Sequence, residues 1–311
     1  MKVILHIGAH RTATSSLQSY IRRNLPALHG AGVGFWGPLR TRKGLFAGIQ
    51  PTVVQGRDAP RRARGRIALQ LDKATRCGVH TLLVSDENMM GSVRRNMRTA
   101  RLYPDVGERL SRYFTAFDQR IDKVVMSVRG LDHYWASAIS YGVARGHPVP
   151  DAQHCARIAH GARTWRDVIC DVACAMPDTQ IEVIPFERAA GRPDAVLAAC
   201  IGHHTPRDTT SEWLNRGPSA ARLRRMLQDR GAPATPVPEH PGRWIPFDTT
   251  GRAALREAYA DDMHWLLAGA GGLATLTEDL DQTRAGHTLP YGSLTQGREH
   301  DFQERRMAQP R

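Results

Sequence analysis

Lysine is nearly missing from this 311-residue chain: it stands only at positions 2, 43, 73 and 123, so almost all of the 43 basic residues are arginine. A GC-rich genome can produce such a bias, and arginine also gives bidentate contacts to phosphate and sulfate. The formal charge of +13 makes an anionic partner the first expectation. Aromatics are only 6% and no recognised nucleic-acid module is present, so a small anionic ligand ranks above nucleic acid, which is not expected as a partner. No stretch approaches the roughly 20 apolar residues that cross a bilayer. The opening residues 1–8 turn polar too quickly for a secretory signal, and a cytoplasmic location is expected. Cysteines are few and odd in number, at 77, 155, 170, 174 and 200. Cys170 and Cys174 lie one helical turn apart without a second ligand pair at zinc spacing, so buried free thiols are expected and no metal site.

Short, β-branched apolar runs at 3–7, 81–84, 124–128 and 181–184 predict buried parallel strands. Helical spacing is found at 14–24, 110–117, 133–143, 165–175 and 194–201. Strands alternating with helices predict an α/β fold, a three-layer sandwich around a mainly parallel central sheet. One domain is expected over 1–280. Within it, 36–66 forms a basic, Gly/Pro-punctuated insertion, either a solvated face or a lid over the acceptor side. Residues 233–246 hold five prolines and predict an irregular connection, and 281–311 a flexible tail.

The most informative segment is His6-Ile7-Gly8-Ala9-His10-Arg11-Thr12-Ala13-Thr14-Ser15-Ser16. A buried strand runs through small residues directly into an amphipathic helix. The first backbone N–H groups of such a helix lack intrahelical acceptors and, with the helix dipole, form an anion site. Thr12, Thr14 and Ser15 add hydroxyls, and Arg11 adds a fixed charge. The alternative is a Ser/Thr-capped helix, but one cap needs one hydroxyl and residues 12–16 carry four. A nucleotide-hydrolysing loop, G-x-x-x-x-G-K-[ST], would need a second glycine and a lysine where Ala13 and Thr14 stand.

Arg11-Thr12-Ala13-Thr14-Ser15 resembles the 5′-phosphosulfate loop of sulfotransferases that use 3′-phosphoadenosine-5′-phosphosulfate (PAPS), commonly a basic residue followed by [ST]-G-T-[TS]. Arg11 replaces the usual lysine and Ala13 the usual glycine, and alanine is expected to hold a less unusual backbone there. The resemblance implies a P-loop NTPase-like fold, with Gly8, Ala9, Arg11, Thr12, Ala13, Thr14 and Ser15 around the 5′-phosphosulfate.

A second segment, Lys123-Val124-Val125-Met126-Ser127-Val128-Arg129, ends a strand in arginine and starts a helix that carries Ser137 eight residues on. Ligands of open α/β sheets sit at such carboxyl ends. The spacing resembles the 3′-phosphate motif of the same family, which implies Arg129 and Ser137 as 3′-phosphate ligands. Singly, a strand-end arginine is often solvated and a helix serine often bonds its own turn. The order of 181–188, the helix near 196–201 and Asn215-Arg216-Gly217-Pro218-Ser219 also resembles bacterial members, which implies Arg216 on the nucleotide.

The second predicted strand ends in Ser85-Asp86-Glu87-Asn88. The resemblance implies Glu87 as general base, with Asp86 and His10 as fallbacks. A helix cap is the plain alternative for Glu87, and a Walker B strand with magnesium on Asp86 pairs badly with a loop that lacks its lysine. The implied activity is in-line transfer of a sulfuryl group from PAPS, as co-substrate without a metal, to a hydroxyl or amine on a small-molecule or glycan acceptor. Arg11 would offset charge on the leaving phosphate. A P-loop kinase or NTPase and a non-catalytic adenosine bisphosphate binder are the rivals.

Overall fold

The computed structural model describes residues 1–50, 56–202, 205 and 213–277; the predicted tail at 281–311 lies outside them. In chain order come β1 (Lys2–His6), α1 (Thr14–Arg23), α2 (Leu25–Gly30), β2 (Val33–Trp36), α3 (Pro38–Arg40), α4 (Ala59–Arg76) and β3 (Thr81–Ser85). They are followed by α5 (Val93–Thr99), α6 (Val106–Ala116), β4 (Lys123–Val128), α7 (Leu131–Ala144), α8 (Ala152–Ala159), α9 (Trp165–Ala175) and β5 (Gln180–Pro185). The last are α10 (Phe186–Ala189), α11 (Pro193–Ile201), α12 (Ala220–Gln228), α13 (Thr249–Leu267) and β6 (Thr275–Leu276).

The six strands form one sheet in the order β2-β3-β1-β4-β5-β6, and every pairing is parallel. Parallel neighbours need crossover connections, and the helices supply them on both faces. The period-2 alternation of the strands feeds two cores. Val3, Leu5 and Ile7, with Val124 and Met126, pack under α4, α6, α7, α9 and α13. Ile4, Leu83, Val125 and Ile184 face α1, α2 and α11 instead, against Leu17, Tyr20, Ile21 and Leu197. The result is an α/β sandwich of three layers.

Two strands carry no usable sequence signal. In β2, Val-Gly-Phe-Trp, a glycine interrupts the apolar run, and β6 is two residues long. The basic insertion also resolves differently from an open loop. Its arginine run 61–66 lies on α4, whose Ala59, Ala63 and Ile67 are buried while the arginines stay largely solvated. Residues 233–246 contain no helix or strand. Only Cys155 and Cys200 of the free cysteines are buried; Cys77 and Cys174 are exposed, against the expectation of buried thiols. Among the described residues, no helix is long and apolar enough to cross a membrane.

One polar relay fixes the sheet's carboxyl edge. The buried Asp262 of α13 accepts from Thr164 Oγ1 at 2.6 Å, Trp165 N at 2.9 Å and Arg166 N at 3.1 Å, at the start of α9. Trp165 Nε1 then donates to the carbonyl of Arg129 at 2.7 Å. The strand-end arginine is thereby held from behind, by its backbone.

Candidate functional site

The chain leaves β1 toward β2 and β3 on one side, then crosses from β3 to β4 on the other. The crevice at the carboxyl ends of β1 and β4 is therefore the switch point, where α/β sheets bind ligands. A cleft enclosing about 990 Å³ of empty space, part of it open to solvent, lies there. Of the expected residues, His10, Arg11, Ala13, Thr14, Ser15, Glu87, Arg129, Ser137 and Arg216 all line it. Gly8, Ala9 and Thr12 shape the turn from behind. Asp86 is not on the cleft wall.

The turn between β1 and α1 is an amide cradle. Gly8, Arg11 and Ala13 all take left-handed backbone angles, with φ of 62°, 68° and 62°. At Gly8 a Cβ would lie 2.6 Å from Thr14 Oγ1, so only glycine fits. Ala13, expected to have an easier backbone than the glycine it replaces, adopts the glycine conformation nonetheless. It is also the N-cap of α1, and no side chain caps that helix.

The four hydroxyls also have contacts within the protein. Thr12 Oγ1 donates to the carbonyl of Ala9 at 2.7 Å, and Thr14 Oγ1 lies 3.5 Å from the same oxygen. Ser15 Oγ accepts from Asn215 Nδ2 at 2.8 Å, and Ser16 Oγ from Leu214 N at 3.0 Å. The simple capping reading thus fails. Among the described residues, the N–H groups of residues 11–15 donate to no protein acceptor. They are available to an anion.

The two predicted anion motifs meet directly. Arg11 Nε donates to Ser137 Oγ at 3.0 Å, and the Arg129 Nη1 group donates to the carbonyl of Arg11 at 2.9 Å. Arg129 is buried, with its guanidinium 4.6 Å from the centre of the Phe186 ring. Arg216 lies over Trp213, 5.7 Å from the ring centre. Ser219 caps α12 rather than entering the cleft, accepting from Arg222 N at 3.2 Å.

Sequence reasoning missed Tyr141, His133, Trp213 and Arg243, which line the same cleft. His133, Ser137 and Tyr141 are spaced by four on α7, one helical stripe that could have revealed them from Ser137. Trp213 lies two residues before the quoted Asn215. Arg243 sits in the proline-rich connection, where no local pattern marks it. With Arg11, Arg129, Arg216 and Arg243, the cleft carries four guanidinium groups and, among the described residues, a single carboxylate, Glu87.

Glu87 and its neighbours sort the candidate bases. Asp86 caps the turn after β3, accepting from Asn88 N at 3.0 Å, so the capping role falls to it and not to Glu87. Its oxygens also take Thr41 Oγ1 at 2.5 Å and Arg42 Nη2 at 2.6 Å, which leaves Asp86 committed. Glu87 sits 3.0 Å from Arg42 and accepts from Gln18 Nε2 at 3.3 Å. Burial pushes the Glu87 carboxyl up, but Arg42, a backbone N–H and His10 outweigh it and hold it below the usual carboxylate range. It is therefore ionised at neutral pH, as a base must be, but of reduced basicity. His10 has Nδ1 2.9 Å from the Tyr103 hydroxyl and Nε2 3.1 Å from Asn88 Oδ1. Burial lowers its pKa against the pull of Glu87 and Asn88, so the imidazole is neutral at pH 7.

Comparison of the chain with protein-family models, with curated proteins and with solved structures finds no match.

Proposed function

We propose that this protein is a PAPS-dependent sulfotransferase with a P-loop NTPase-like core, acting on a hydroxyl or amine. The observation that carries the reading is the contact between the two anion motifs. The amide cradle after β1 and the Arg129–Ser137 pair after β4 are hydrogen-bonded to each other through Arg11 and share one arginine-rich cleft. A nucleotide with anionic groups at both the 5′ and 3′ positions suits that donor set. The strand order supports the same family of cores, because it puts the β1 turn and the end of β4 side by side.

In this reading the amides of residues 11–15 and the Arg11 guanidinium hold the 5′-phosphosulfate. They offset the negative charge that builds on the leaving phosphate oxygen. Arg129, Ser137 and Arg216 hold the 3′-phosphate. Glu87 takes the proton from the acceptor as its oxygen or nitrogen bonds to sulfur, and the sulfur–oxygen bond to the phosphate breaks. Adenosine 3′,5′-bisphosphate leaves. Positioning and preorganised charge supply most of the rate, as in phosphoryl transfer.

The kinase reading is disfavoured by Asp86, whose oxygens are occupied by Arg42, Thr41 and Asn88 rather than turned to the cleft. Calorimetric titration with adenosine 3′,5′-bisphosphate, beside ATP with magnesium, tests the proposal. Binding of the bisphosphate with at least tenfold preference is expected. Preferential binding of magnesium ATP overturns it, and bisphosphate binding with no transfer from labelled PAPS to any acceptor reduces it to a binding protein.

A further inference from the structure

A second cavity, enclosing about 810 Å³ of empty space and partly open, joins the cleft at His10, Glu87 and Tyr141, which line both. The candidate base therefore faces two chambers. One holds the amide cradle and is assigned above to the nucleotide. The other lies between α5 and the end of α7, and its wall is basic: Arg42, Arg94, Arg145 and His147 stand there, with Glu87 as the single carboxylate among the described residues.

The charges of this wall are not equivalent. Arg42 is already paired with Asp86 and Glu87. Arg94 and Arg145 are exposed and make no ion pair with a carboxylate among the described residues. Arg145 lies over Tyr141, 4.2 Å from the ring centre, while Arg11 from the first chamber sits 4.8 Å from the same centre. Tyr141 is thus the partition, with a guanidinium on it from each chamber. Such stacking leaves the N–H edges of Arg145 free to take a planar carboxylate or an ester phosphate.

We infer that the second cavity is the acceptor pocket, and that the acceptor is itself an anionic hydroxyl compound, a hydroxy acid. This rests on the sulfotransferase reading of the first cleft. The carboxylate would pair with Arg94 and Arg145, and the hydroxyl would point to Glu87. That hydroxyl loses its proton to Glu87 as its oxygen bonds to sulfur and the phosphate leaves with the electron pair of the broken bond. A neutral acceptor would leave both arginines without a partner, and an amine would be repelled by them.

The test uses the full chain and two matched probes, a hexuronate-containing disaccharide and its carboxyl-reduced, neutral counterpart. Each is titrated with adenosine 3′,5′-bisphosphate present at saturation. The acidic probe is expected to bind about three- to tenfold more tightly than the neutral one, as two solvent-accessible arginine–carboxylate pairs provide. Arg94→Ala with Arg145→Ala should remove that preference, with bisphosphate affinity within twofold of the parent. Bisphosphate binding with equal affinity for the two probes, or with a preference that survives the double variant, overturns the acceptor assignment alone. If the bisphosphate fails to bind, the sulfotransferase reading falls first and the acceptor assignment with it.

Discussion

Replacing Ala13 with glycine should make the protein more stable, although alanine-to-glycine changes ordinarily do the reverse. Ala13 has φ 62° and ψ 20°, the left-handed region, where an L-residue with a Cβ costs about 1–2 kcal/mol relative to glycine. Glycine gains about 0.4–1 kcal/mol of extra freedom in the unfolded chain, which works against the substitution. The methyl group is only partly buried, so little packing is lost. The net gain is about 0.5–1 kcal/mol. Ala253, exposed within α13, is the control: its helical backbone gives Ala253→Gly a loss of about 1 kcal/mol. The two substitutions should therefore differ by about 1.5–2 kcal/mol, or roughly 2–3 °C in Tm for a chain of this size. Thermal melts of both variants beside the parent measure it. If Ala13→Gly lowered Tm as much as Ala253→Gly, residue 13 would not be left-handed and the cradle geometry would be wrong.

The opposite change, Gly8→Ala, adds a Cβ 2.6 Å from Thr14 Oγ1 at a left-handed φ and should cost more than about 2 kcal/mol, read as a lowered Tm together with loss of bisphosphate binding. Arg11→Ala should cut turnover by about 10²–10³, while Arg129→Ala should raise the Kd for the bisphosphate at least about tenfold; unchanged affinity in the second would remove Arg129 from the 3′-phosphate site. Burial pushes the pKa of His6 down to about 4, against a weaker opposing pull from Glu87. Its folded pKa is thus below the unfolded value near 6.5, and the unfolded chain takes up the proton first as pH falls. Stability should be full above pH 6.5 and decline toward pH 4 by about 3 kcal/mol. Urea midpoints at pH 7 and 4.5 should show that slope in the parent and a flatter one in His6→Gln.

Much of the layout was legible because it is local. The β-branched runs that became β1, β3, β4 and β5 are short and apolar on both faces, which a buried parallel strand requires. The helix expected at 165–175 matches α9 (Trp165–Ala175) residue for residue, and its capping box from Thr164 and Asp167 explains the clean start. The elements that escaped have weak or masked patterns. In α4 the apolar stripe is two alanines and one isoleucine beneath a run of arginines. In α13, 19 residues long, Leu255 and Leu266 are the large apolar side chains that become fully buried.

The candidate site divides along the same line. The sequence by itself determined the cradle, because a strand, a small-residue turn with Gly8 and a helix start are consecutive, and their geometry follows from nearest neighbours. It also determined the Arg129–Ser137 spacing, which a strand end and two turns of helix set. Only the tertiary structure decided that these two pieces touch, since residues 11 and 137 are brought within hydrogen-bond distance by the parallel pairing of β1 with β4. Only it paired Arg42 with Asp86, which withdrew one candidate base, and carried Arg243 from an irregular connection to the cleft wall. Contacts between segments far apart in sequence depend on the sheet order and on crossovers, and no window of the chain contains that order.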